Sequence, residues 1–171
     1  MGTTQSPGEF SESQRAGLEV RRADQDRTLA CMHRLEAMLA AAAPGREEHW
    51  RSDVLTALVA LDEATAEEAA NAGAVDSLLS DLARTQPWLR NRVRGARMHY
   101  QQLRESLSSL IGELEESTGP VDYADMRQRL GWILTSLRHQ RARESDLIYE
   151  AYYDAFQTDL VAEPFRSDRS Q

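Results

Sequence analysis

Between residues 122 and 156 large apolar side chains recur at intervals of three and four: Met126, Leu130, Ile133, Leu137, Leu147, Ile148, Ala151 and Ala155. That spacing places them on one face of an α-helix, and such a face must be buried against another element. The stripe is interrupted at Gln140 and Glu144, where the repeat asks for Leu or Ile. A carboxylate in the middle of an apolar face has to be neutralised, paired or bound to something. No run alternates apolar and polar residues between turn signals, so no strand competes with the helices.

Three further segments share the helical period. Residues 24–42 carry Leu29, Met32, Leu35 and Leu39, and stop before Pro44 and Gly45. Residues 47–70 carry Val54, Leu58 and Leu61, then turn small and polar in the run DEATAEEAANAG. A short amphipathic piece, 76–83, leads into residues 87–116, with Leu89, Val93, Ala96, Tyr100, Leu103, Leu107, Leu110 and Leu114 on one face. Pro87 suits a first helical turn, and Asp122 caps the fourth helix. The pattern predicts an all-α fold, an up-down-up-down four-helix bundle with a short extra helix between helices two and three. Residues 1–22 are expected to be a mobile N-terminal segment, although Ser11 and Gln14 have capping-box spacing. Residues 23–160 form the bundle and 161–171 a disordered tail.

The chain has a net charge of −8, and all 20 of its basic residues are Arg, mixed with acids throughout. That argues against nucleic acid as a partner and against a basic membrane-binding patch. The longest apolar run, 37–43, is too short to span a bilayer, so no membrane is expected. A lone Cys31 and an N-terminus without a basic-then-apolar leader point to a reducing compartment, the cytoplasm. Phosphate loops, nucleophile elbows and HExxH are absent from the sequence, so nothing marks an enzyme.

The groups that could carry chemistry are His33, His49, His99, His139, Glu68 and Glu144. At roughly 100° per residue, Glu144 points with the apolar stripe, Gln140 lies at its edge and His139 points about 140° away. His99 and His33 sit at the margins of their stripes, and His49 beside Trp50 reads as exposed.

The helices PWLRNRVRGARMHYQQL, LRHQRARESDLIYEAY and LACMHRLEAML resemble, over residues 24–153, the hemerythrin-like, or HHE cation-binding, four-helix domain. The resemblance implies a di-iron centre that binds or senses oxygen, held by several His and two bridging carboxylates. His99 falls on a family His position, Glu144 and Glu68 on its acid positions. Met32, Gln140 and Ala64 or Thr65 stand where His would be, with His33 and His139 one residue out of register. Glu68, His99 and Glu144 are therefore the residual metal candidates.

Each candidate also has a plainer reading. A buried carboxylate is more often paired than metal-bound, so Glu144 is expected to meet an Arg or His99. Glu68 reads as a solvated helix end beside Glu67, and His99 as a partner for a carboxylate or Tyr. Tyr149, Tyr152, Tyr153 and Phe156 would plug the bundle end against the turn at 85–89, or form a surface for a protein partner or self-association through the end of helix four. The function expected is a non-catalytic binding or regulatory domain with a degenerate di-iron site. The alternatives are an active metal-binding relative handling oxygen, nitric oxide or iron, and a structural protein-interaction bundle. The residues themselves ask for no cofactor; iron is the one the resemblance allows.

Overall fold

A computed structural model describes residues 8–41, 43–117, 119 and 121–162. These form α1 (Glu12–Ala40), α2 (Glu47–Gly73), α3 (Leu78–Thr85), a 3-10 turn (Pro87–Leu89), α4 (Arg90–Glu116), α5 (Tyr123–Ala151) and α6 (Tyr153–Ala162). No strand occurs among the described residues. The long helices pack α1 on α2, α2 on α4, α4 on α5 and α5 on α1, while α3 touches all four of them. Of the tail expected to be disordered, 163–171 lies outside the described residues, as do residues 1–7.

The segment expected to be mobile up to residue 22 is helical from Glu12. Its capping box forms: Ser11 Oγ accepts from the Gln14 amide at 3.1 Å, and Gln14 Oε1 accepts from the Ser11 amide at 2.9 Å. Two long-range contacts anchor this first turn. Gln14 Nε2 donates to Asp81 Oδ2 on α3 at 3.0 Å, and Arg15 pairs with Asp159 on α6 at 2.9 Å. The apolar repeat missed this stretch because polar contacts rather than an apolar stripe hold its first turn in place.

The single helix expected through residue 156 breaks at Tyr152 (φ −117°, ψ 25°), where α5 gives way to α6. The bend sends the Tyr152 ring into the interior, where its hydroxyl donates to Asp81 Oδ2 at 2.8 Å.

Helix ends leave carbonyls without partners, and neither α1, α2 nor α4 has a basic residue in its last turn. Arginines from neighbouring helices take that place. Arg127 donates to Leu39 O and Ala41 O at 2.9 and 2.8 Å, Arg97 donates to Ala72 O at 2.7 Å, and Arg51 donates to Leu114 O. These three arginines are thus used between helices, not on solvated faces. Each guanidinium meets the negative end of a helix dipole.

The interior divides into two apolar clusters. The larger gathers Met32, Leu35, Leu58, Leu61, Leu103, Leu107, Leu130, Ile133 and Leu137 from the four long helices. It is closed by Trp50, whose ring stands edge-on to Tyr123 at 5.0 Å with Arg127 over its face. The turn before α2 passes through Gly45 at φ 78°, a left-handed conformation that favours glycine. The smaller cluster joins Phe10, Leu78, Leu79, Leu82, Leu89, Val93, Leu147, Ile148, Tyr152 and Ala155. The expected aromatic plug is present here, with one component unforeseen: Phe10 packs on Tyr152 and Phe156 at 5.6 and 4.9 Å. Tyr149 and Tyr153 stay half exposed on the outside.

Candidate functional site

Between the two apolar clusters lies a layer of buried polar side chains: Asp24, Thr28, Thr65, Glu68, Gln140 and Glu144. Each sits on the continuation of its helix's apolar stripe. On α1 the series runs Arg21, Asp24, Thr28, Met32, Leu35; on α2 it runs Val54, Leu58, Leu61, Thr65, Glu68. On α5 it runs Ile133, Leu137, Gln140, Glu144, Leu147. The three- and four-residue spacing is unbroken, and only the chemistry changes.

Glu144 is 7% exposed and meets Arg21 of α1, whose Nη1 donates to Glu144 Oε2 at 2.7 Å. Gln140 Nε2 donates to the other carboxylate oxygen at 3.0 Å and to Ala96 O at 2.9 Å. The pairing expected for Glu144 is present, and the partner is an arginine from the stretch read as mobile. Burial breaks even only when charges are paired and their remaining lone pairs satisfied, and this carboxylate is held on both oxygens.

Glu68 departs from the sequence reading: it is buried, whereas its neighbour Glu67 is exposed and pairs with Arg27. α1 covers the last turns of α2. Thr28 Oγ1 donates to Glu68 Oε2 at 2.6 Å, and the Tyr100 hydroxyl donates to the same oxygen at 3.1 Å. Burial first, then the charge of Glu68 and its hydrogen bond, with a further contribution from Glu144, push the Tyr100 hydroxyl well above its ordinary value. It therefore stays protonated and acts as a donor. Asp24 accepts from Asn71 Nδ2 on both oxygens, at 3.1 and 2.9 Å.

Two atoms of this layer are sealed from solvent without a partner, Gln140 Oε1 and Arg21 Nη2. Beside the layer opens a cleft of about 280 Å³, walled by α1, the end of α2 and the start of α3. Arg21, Asp24, Glu68, Asn71 and Ser77 supply its polar lining; Val20, Leu78 and Leu79 supply apolar lining.

The histidines stand apart from the layer. His33, His49 and His139 are exposed, His139 on the side the angular argument gives it. His99 is half buried and lines a shallow groove with Gln140, Arg143 and Asp146. No hydrogen bond joins it to Glu68 or Glu144 among the described residues.

As a cradle for two irons the layer fits poorly. Arg21 already neutralises Glu144, and no group of three or more His, Cys, Asp or Glu placed to hold a metal occurs among the described residues. Sequence reasoning missed Arg21, Asp24, Thr28 and Asn71. The signal that could have found the first three was the unbroken spacing 21, 24, 28, 32, 35 on α1.

Comparison with protein-family models, curated proteins and solved structures returns no match.

Proposed function

We propose that the chain is a non-catalytic binding or regulatory domain of hemerythrin-like descent, an up-down-up-down bundle in which an internal ion pair stands where the family holds metal. The contact order supports the topology. Thr28 meets Glu68 and Asp24 meets Asn71, Arg97 meets Ala72 while Arg51 meets Leu114, and Arg92 meets Glu150 while Arg129 meets Glu113. Each of these three pairs of neighbouring helices is thereby matched in opposite directions.

The observation that carries the reading is the Arg21–Glu144 contact at 2.7 Å. A guanidinium on that carboxylate supplies the positive charge a metal would bring, and a dication would have to displace it. The Thr28 and Tyr100 hydroxyls likewise occupy one oxygen of Glu68.

Metal analysis after anaerobic loading with ferrous iron tests this reading. We expect well under one iron per chain and no charge-transfer absorption. Two irons per chain with an oxo-bridge band, lost in His99→Ala, would overturn it in favour of an active metal protein.

A further inference from the structure

Three carboxylates are buried among the described residues: Asp24, Glu68 and Glu144. Glu144 is paired with Arg21 at 2.7 Å, and Asp24 has Arg27 at 3.5 Å. Glu68 has no ionic partner among the described residues. Its Oε2 accepts two hydroxyl donors, and no hydrogen bond reaches its Oε1. A buried carboxylate without a counter-charge is costly, and such groups are found paired or bound.

Glu68 also lines the 280 Å³ cleft, a volume near the lower end of small-molecule sites, roughly 300 Å³. Asn71 is on the same wall; its Nδ2 is committed to Asp24, which leaves Oδ1 as an acceptor. Neither Glu68 Oε1 nor Asn71 Oδ1 is sealed from solvent. These two open atoms are acceptors, so a group bound to them must donate. Val20, Leu78 and Leu79 add hydrocarbon to the same lining.

We infer that this cleft binds a small organic cation, a primary ammonium on a short apolar body, with the ammonium on Glu68 Oε1 and Asn71 Oδ1. The proposal rests on the reading of the chain as a binding domain and names the chemical class of its ligand. A divalent metal suits the cleft less well. Hard cations want about six oxygens, whereas Asp24 is held by Asn71 on both oxygens and Val20, Leu78 and Leu79 supply hydrocarbon to the lining.

The test is an amide-resolved NMR titration of the full chain with n-butylammonium, n-butanol, butyrate and magnesium as separate probes. Butylammonium is expected to shift amides of residues 16–24 and 68–79 saturably, with the alcohol and butyrate giving no saturable change. Glu68→Gln keeps the side-chain shape and an acceptor for Thr28 and Tyr100, and should weaken butylammonium at least tenfold. Val20→Trp changes a half-exposed position and should block the cleft while leaving Glu68 in place. Equal binding of the alcohol, unchanged affinity in Glu68→Gln, saturation of the same amides by magnesium in place of the amine, or no saturation by the amine at all would each overturn the proposal. Iron loading reads the Arg21–Glu144 layer and the amine titration reads Glu68 Oε1, so either reading can fail alone.

Discussion

Around Leu61 and Leu103 the long helices meet mainly through aliphatic side chains; one to two turns along the same faces they meet through Thr28, Glu68, Tyr100, Gln140 and Glu144. Backbone and spacing are shared, so the difference isolates what side-chain chemistry adds. In the apolar cluster any close-packed set of aliphatic residues of the right volume would serve. In the polar layer every donor needs its acceptor, and a single missing partner leaves a buried charge exposed to a low dielectric. The aliphatic region thus supplies cohesion, while the layer admits few alternative pairings of the helices. The layer is also the less complete of the two, because Gln140 Oε1 and Arg21 Nη2 have no partner.

The sharpest contrast comes from cutting each region once. Leu103→Ala should cost about 4 kcal/mol by chemical denaturation, since Leu103 is 2% exposed and its neighbours cannot collapse fully into the gap. Arg21→Met should cost about 3 kcal/mol, a little less because the Arg21 side chain keeps 14% exposure. Adding Glu144→Leu to Arg21→Met should return stability to within about 1 kcal/mol of the parent, since removing both charges removes the desolvation problem with them. No similar rescue is available to Leu103→Ala. A double variant as unstable as Arg21→Met would show that the layer does more than balance its own charges.

Smaller effects probe the hydroxyls. Tyr100→Phe removes one of two donors to Glu68 Oε2 and should cost about 1 kcal/mol. The pH dependence separates the layer from the end of the bundle. Burial and the nearby carboxylates hold the Tyr100 and Tyr152 hydroxyls above the ordinary tyrosine value of 10.0. Their stabilisation is complete below that pH and is lost as pH rises above it. Denaturation midpoints should fall on the alkaline side, less steeply in Tyr100→Phe. Asp81 runs the other way: burial opposes its charge, but hydrogen bonds from Gln14, Tyr152 and Arg84 outweigh that and hold its carboxyl below 3.8. Its contribution is present above that pH and is lost as pH falls below it; Asp81→Asn should flatten that acid limb and, because Asp81 also helps raise the Tyr152 hydroxyl, soften the alkaline fall as well.

The all-helical character, the four long segments and the inward direction of Glu144 were legible in the sequence, because apolar spacing alone fixes which face a helix must bury. The exposure of His139 followed from the same angle. The start of α1 showed only as capping-box spacing at Ser11 and Gln14, and the burial of Glu68 and the identity of the partner of Glu144 were not legible. Each depends on groups far apart in the chain: Gln14 with Asp81, Thr28 with Glu68, Arg21 with Glu144. A polar residue on a helix face announces a requirement, but a single chain with many arginines does not say which of them meets it. Periodicity determined where Gln140 and Glu144 would interrupt a core. Only the packing of α1 across α2 and α5 decided that the interruption would be a closed ion pair on one side and, at Glu68, a carboxylate left facing a cleft.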